Sequence, residues 1–133
     1  MEARQAFKEA VAAHRLHGIE LIKAIDSKDH VILVCKGPIA PLIGKEGTVV
    51  KELKQKLNKK VRVIEHTEAR KMIQDLLGSV PLIGFTKAFP KPGASAYTLL
   101  LAKKDMEKLA MEQAELERVL NDLLESQTSI AWV

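Results

Sequence analysis

The stretch LIGKEGTVVKELKQKLNKKVRVIE, residues 42–65, decides the fold predicted for this chain. It opens with an apolar segment that ends at Gly44, and a charged pair separates this glycine from Gly47. The apolar residues of 48–57 then recur at the spacing of one helical face, and 60–66 alternates apolar and polar residues as a half-buried strand does. The stretch therefore predicts a helical segment, a turn bracketed by glycines, a second helix and a strand.

The segments on either side extend this pattern. Residues 2–16 predict an amphipathic helix that Gly18 closes, and the turn DSKD joins two predicted strands at 19–25 and 30–36. Further along, the sequence predicts a helix at 67–78 capped by Thr67, strands at 82–89 and 96–103, a helical region at 105–124 and a strand at 129–133. This mixture of helices and strands predicts an α+β fold.

An internal repeat relates the two parts of the chain. Shifted by 67 residues, 30–57 aligns with 97–124, and a strand follows in both copies after one inserted residue in the second. Gly44 and Gly47 align with Met111 and Ala114. Because the second copy joins two helical segments without these glycines, we expect the glycines to serve a function rather than the fold. The repeat predicts two tandem modules, 1–78 and 79–133.

Composition and charge limit the class of protein. The 133 residues are 47% hydrophobic and 29% charged, which is typical of a globular rather than a disordered chain. We find no apolar run long enough to span a membrane and no signal-peptide pattern, so we expect a cytoplasmic location and no membrane partner. Eight basic and two acidic residues give 36–62 a net charge of +6, whereas four basic and seven acidic residues give 103–133 a net charge of −3. The middle of the chain therefore suits a polyanion.

The sequence contains no pattern that indicates catalysis. Cys35 is the single cysteine, lies in an apolar run and is predicted to be buried, so neither a disulfide within the chain nor a cysteine-based metal site is possible. His14 and His17 have no acidic or cysteine partner nearby in sequence and are predicted to lie at the surface or to be partly buried. No phosphate-binding P-loop and no nucleophile elbow is present. We therefore expect no enzyme activity, no small-molecule substrate, no cofactor and no metal.

The paired glycines have a physical role in binding phosphate. Glycine has no Cβ, so a ligand can approach the main chain closely, and the start of the next helix presents unpaired N–H groups to an anion. Lys45 adds a cation between the glycines. In this context the stretch resembles a KH domain, whose G-x-x-G loop clamps single-stranded nucleic acid. Because a helix and two strands precede the loop, the order resembles the type II arrangement, and two such modules in so short a chain resemble the archaeal NusA-like transcription factors.

The resemblance implies a fold and a binding site. The expected fold is two tandem type II KH-like modules, each a small sheet with helices packed on one face, the second module being degenerate. The backbone of 44–47 and Lys45 would contact phosphates, bases would lie between the helix at 48–57 and the strand at 61–64, and RNA polymerase would be a partner in transcription elongation or termination. The expected RNA-binding residues are Gly44, Lys45, Glu46, Gly47, Thr48, Lys51, Arg62 and Lys36.

Two departures from the family pattern shape the expectations. Glu46 places an acid in the loop, where we expect it to weaken phosphate binding. The second module has MEQA, 111–114, in an acidic segment, so we expect no RNA binding through its loop and predict that Trp132 is packed rather than stacked on a base. The alternative hypothesis is a protein-interaction scaffold of the transcription or translation machinery that docks through this second module.

Overall fold

The computed structural model describes residues 2–40 and 47–133 and divides the chain into two compact units, Met1–His66 and Thr67–Val133. The sequence analysis instead predicts a boundary after Gly78. The helix Ala69–Leu77 belongs to the second unit, because its Arg70 guanidinium lies 5.8 Å from the ring centre of Phe85 and the backbone N–H of Leu82 donates to Gln74 Oε1 at 2.8 Å. The helix therefore begins the second unit rather than ending the first.

The first unit contains two helices and three strands within the described ranges. In chain order they are α1 (Glu2–Ala13), β1 (Glu20–Asp26), β2 (His30–Lys36), α2 (Thr48–Leu57) and β3 (Lys60–Glu65). Strand β2 is central, with β1 antiparallel and β3 parallel to it. These bounds confirm the predicted helices and strands of this half, while most of the helical segment predicted before Gly44 lies outside the described residues.

The second unit repeats this order. Its elements are α3 (Ala69–Leu77), β4 (Gly84–Ala88), β5 (Ala96–Leu101), a 3₁₀ helix (Lys103–Lys108), α4 (Gln113–Leu124) and β6 (Gln127–Trp132). Strand β5 is central, with β4 antiparallel and β6 parallel to it. Two details differ from the sequence prediction. The N-cap of α3 is Glu68 rather than Thr67, and extended backbone at Leu109 and Glu112 separates the 3₁₀ helix from α4, so 105–124 is not one helical region.

The repeat predicted from the sequence is confirmed by strand register and by helix ends. His30 of β2 pairs with Lys60, whereas Tyr97 of β5 pairs with Thr128, so the second unit carries one more residue between its paired strands. The helices α2 and α4 end at Asn58 and Glu125, 67 residues apart, and both residues are left-handed, with φ of 53° and 51°. The two units therefore share one plan.

Helices cover one face of the first sheet. Strand side chains alternate between faces, so every second residue of β2 and β3 points toward α1 and α2. The resulting buried cluster contains Ala3, Ala6, Phe7, Ala10, Val49 and Leu53 from the helices and Val31, Leu33, Cys35 and Val61 from the strands. Cys35 is buried as predicted, and this burial raises the pKa of its thiol to about 11.

The second unit has its own apolar core. Helix α4 contributes Leu116, Val119, Leu120 and Leu123, and β5 contributes Leu99 and Leu101, all of them buried. Both sheets thus have three strands and pack against helices, as the predicted α+β fold of two tandem modules requires. Within residues 2–40 and 47–133, no helix has the length and apolar composition needed to cross a membrane.

Candidate nucleic-acid interface

Of the residues expected to bind RNA, Gly44, Lys45 and Glu46 lie outside the described residues. The structure describes the other five: Gly47, Thr48, Lys51, Arg62 and Lys36. Thr48 and Lys51 belong to α2, and Gly47 directly precedes this helix. Lys36 ends β2, and Arg62 belongs to β3.

Gly47 is the N-cap of α2 and has a left-handed backbone, with φ 63° and ψ 34°. This conformation costs a residue with a Cβ roughly 1–2 kcal/mol, so glycine suits the position for a conformational reason. The aligned Ala114 avoids that need, because α4 already begins at Gln113 and the preceding Glu112 is extended. The glycine at this position therefore has a conformational reason beside the functional one that the sequence analysis expected.

The surroundings of Gly47 are open. A Cβ built on this residue would meet no atom of the described residues within 4 Å. Gly47 caps a ten-residue helix, and the dipole of such a helix gives its N-terminus a partial positive charge. This geometry suits an anion.

Two exposed lysines follow on α2. Lys51 lies three residues after Thr48 and Lys54 three residues after Lys51, so their side chains are neighbours on the helix surface. Neither lysine has an ion pair among the described residues. Both ammonium groups are therefore available to phosphates.

The lysines at the other end of α2 are paired. Lys56 Nζ lies 3.2 Å from Glu9 Oε2 of α1, and hydrogen bonds from Gln5 and from Lys56 lower the pKa of Glu9. Lys59 Nζ donates to Asp26 Oδ1 and, at 2.7 Å, to the carbonyl oxygen of Ser27. These acids lie outside the basic segment 36–62, so its net charge of +6 is partly balanced. A helix of ten residues is about 15 Å long, which separates these lysines from Gly47.

Lys36 lies at the same end of the unit as Gly47. Strands β2 and β3 are parallel and α2 connects them, so α2 runs in the opposite direction and begins where these strands end. Lys36 is the exposed last residue of β2 and has no ion pair among the described residues. The structure thus brings Lys36 and the start of α2 to one end of the first unit.

Arg62 lies on the opposite face of the sheet. Its neighbours Val61 and Val63 pack with α1 and α2, so strand alternation directs Arg62 away from these helices, beside Ile32 in the register. Arg62 is half-buried and already interacts with another group of the protein. The structure therefore does not bring Arg62 to the α2 side of the sheet, where the sequence analysis expected a base-binding groove.

The loop position of the second unit is closed by side chains. Met111, which aligns with Gly44, is only 7% exposed, and Ala114 lies inside α4. Trp132 Nε1 donates to Gln113 Oε1 at 3.0 Å, and the ring is half-buried, in agreement with the predicted packing of this side chain. The second unit therefore lacks the open main chain found at Gly47.

His14 has a partner that sequence distance concealed. Its Nε2 lies 2.7 Å from Glu52 Oε2 and joins the turn after α1 to α2. The two residues are 38 positions apart, so no local pattern indicated this contact. Across residues 2–40 and 47–133, no group of three His, Cys, Asp or Glu side chains is arranged to hold a metal ion.

One surface feature was missed by the sequence analysis. In the second unit, Arg70, Phe85, Tyr97, Lys87 and Phe89 form a continuous row, which we call the ring–cation row. The Phe85 and Tyr97 ring centres are 5.8 Å apart, and Lys87 Nζ lies 5.4 Å from the centres of both Tyr97 and Phe89. The sequence does contain an indication of a basic surface here, because residues 76–104 include four lysines and no acidic residue.

Comparisons with known proteins inform the fold. No protein-family model and no curated protein matches the chain. Among solved structures, the crystal structure of APE1850 is similar, with a TM-score of 0.69 and 16% sequence identity over 93% of this chain and 96% of that one. At this identity the similarity establishes a shared fold.

Proposed function

We propose that the first unit binds single-stranded RNA, with the G-K-E-G segment at the start of α2 contacting phosphates. The observation that carries the proposal is the left-handed, open main chain of Gly47 at the N-terminus of a helix. Lys51, Lys54 and Lys36 supply cations around it. Backbone donors and cations supply the contacts that phosphates need.

The biological role proposed is that of a NusA-like factor in transcription elongation or termination, cytoplasmic, with RNA polymerase as partner and no catalytic activity. Support comes from the order of elements in two tandem units and from the G-x-x-G sequence. Because Arg62 faces away from α2, we assign base contacts to the exposed surface of α2 rather than to this arginine.

A second candidate function is protein docking through the second unit. One observation favours it: the loop position is closed by the buried Met111, while the exposed residues Glu107, Glu112, Asp122 and Glu125 lie on or near α4. Capture of RNA polymerase that survives both nuclease treatment and substitution of the first-unit loop would support docking. Loss of capture after nuclease treatment would show that RNA makes the link.

The test of RNA binding compares two double variants of equal charge change. In Lys45→Asp/Glu46→Asp the loop loses its cation, and in the control, Lys104→Asp/Glu107→Asp, two exposed residues of the 3₁₀ helix change in the same way. Fluorescence anisotropy of a short labelled single-stranded RNA is measured at two salt concentrations. We expect binding to be abolished in the loop variant and little changed in the control.

Salt dependence gives a second readout of the same measurement. Binding to phosphates releases counterions, so the affinity of the wild-type protein falls as salt rises. Equal affinity of the loop variant and the wild-type protein would refute the assignment of the site to the loop. Equal loss in both double variants would show that only net charge matters.

A further inference from the structure

We propose that the ring–cation row of the second unit is a stacking surface for the bases of single-stranded RNA. The proposal rests on the function above for the class of ligand, and it adds a separate site. The row runs from Arg70 on α3, across Phe85 and Tyr97, to Lys87 and Phe89 at the end of the β4–β5 hairpin. The protein therefore has a candidate base-binding surface far in sequence from the G-K-E-G segment.

Exposure increases along the row toward the hairpin. Phe85 and Tyr97 are half-buried, whereas Phe89 is 71% exposed. A phenyl ring this exposed gains little from the apolar core, and it is held over Lys87 rather than packed under other side chains. The outer face of the ring is therefore accessible to a planar ligand.

The positive charge around the row favours a nucleic acid over a basic or a purely apolar partner. Lys87 and Lys91 lie in the hairpin, and the stretch 76–104 contains no carboxylate that would repel phosphate. Surfaces that bind single strands combine aromatic rings, on which bases stack, with cations that follow the backbone. The row combines three rings with two cations, although the segment 103–133 has a net charge of −3.

Placement in the sheet explains why the rings lie together. Phe85 and Lys87 are two residues apart on β4 and share a face, and Lys87 pairs in register with Tyr97 of β5. Phe89 continues the same alternation just beyond the strand. The antiparallel register thus places three rings on one face of the hairpin.

The test uses the full chain and an exposed apolar control. Phe89→Ala removes the outermost ring, and Ile83→Ala removes another exposed apolar side chain, 52% exposed, that lies outside the row. Since one base–ring stack is worth a measurable part of the affinity, we expect Phe89→Ala to raise the Kd for labelled oligo(A) about tenfold. Ile83→Ala should leave the Kd within about twofold, because it removes no base–ring stack.

A third variant reports stacking directly. Phe89→Trp keeps a ring at the position, so affinity should be retained, and RNA should quench its emission beyond any change seen with the native Trp132. Unfolding curves of the three variants should overlay that of the wild-type protein, because the replaced side chains are exposed. Retained affinity with quenching supports the proposal, and unquenched emission contradicts it.

Measuring Lys45→Asp/Glu46→Asp beside these variants separates the two proposals. If Phe89→Ala binds as tightly as the wild-type protein while the loop variant does not bind, the stacking surface is refuted and the loop site stands. If Phe89→Ala weakens binding while the loop variant binds normally, the loop site is refuted and the stacking surface stands. If Phe89→Ala abolishes capture of a protein partner but leaves RNA affinity unchanged, the row is a protein surface and the proposal is overturned.

Discussion

Replacing Gly47 with alanine should destabilise the protein by about 1 kcal/mol. The left-handed backbone of this residue costs a side chain with a Cβ roughly 1–2 kcal/mol. Alanine also restricts the unfolded chain, which offsets about 0.4–1 kcal/mol of that cost. No steric clash adds to the sum, because a Cβ meets no described atom within 4 Å.

The assay for this variant is urea unfolding followed by circular dichroism. The midpoint should fall while the m-value stays constant, since the surface exposed on unfolding does not change. The mirror-image residue provides the sharpest control. D-alanine favours positive φ, so Gly47→D-Ala, introduced by peptide ligation, should stabilise the protein by about 0.4–1 kcal/mol through the unfolded chain alone.

The aligned position of the second unit provides a reciprocal control. Ala114 lies inside α4, so Ala114→Gly should also destabilise, by up to about 1 kcal/mol, because glycine weakens a helix. The reasoning would be refuted if Gly47→Ala were more stable than the wild-type protein, or if D-alanine destabilised more than L-alanine. Either result would mean that Gly47 is not left-handed in solution.

Three further predictions follow from described contacts. Lys51→Gln should weaken RNA binding and lower the slope of log affinity against log salt concentration by about 0.7. Lys59→Gln should change both quantities less, because the Lys59 cation is already held by Asp26. Anisotropy at several salt concentrations checks this. Glu125→Gly should raise the free energy of unfolding by about 1 kcal/mol, since Glu125 is left-handed, and a lower urea midpoint would contradict it. The Cys35 thiol should resist alkylation in the native protein, because burial raises its pKa from 9.0 to about 11. The free energy of unfolding should fall as pH rises between these two pKa values, because the fold favours the neutral thiol. Rapid native labelling would show that the thiol is accessible.

The periodicity of apolar residues predicted most of the fold, because the formation of helices and strands depends largely on residues that are neighbours in sequence. Strand alternation identified β2 and β3, and helical spacing identified α2 within the bounds that the structure has. The structure extends the repeat by one position, to Asn58 and Glu125, and both are left-handed helix ends. These features are local, so sequence contains them directly.

The misses arose where distant packing decides the outcome. Gly78 ends a helix, but whether that helix belongs to the first or second unit depends on the contact of Arg70 with Phe85. The alternation around Arg62 defined two faces without showing which one α1 and α2 cover. The ring–cation row requires the β4–β5 register, which brings Lys87 opposite Tyr97.

The central claim, that RNA binds at the start of α2, is tested most directly by a nuclear magnetic resonance titration. In ¹H–¹⁵N spectra recorded while single-stranded RNA is added, the amide signals of Gly47, Thr48 and Lys51 should shift and saturate at the Kd found by anisotropy. The amides of Gln113 and Ala114, at the equivalent helix start of the second unit, should stay in place. Saturating binding with no larger shift at Gly47 and Thr48 than at Gln113 and Ala114 would contradict the claim.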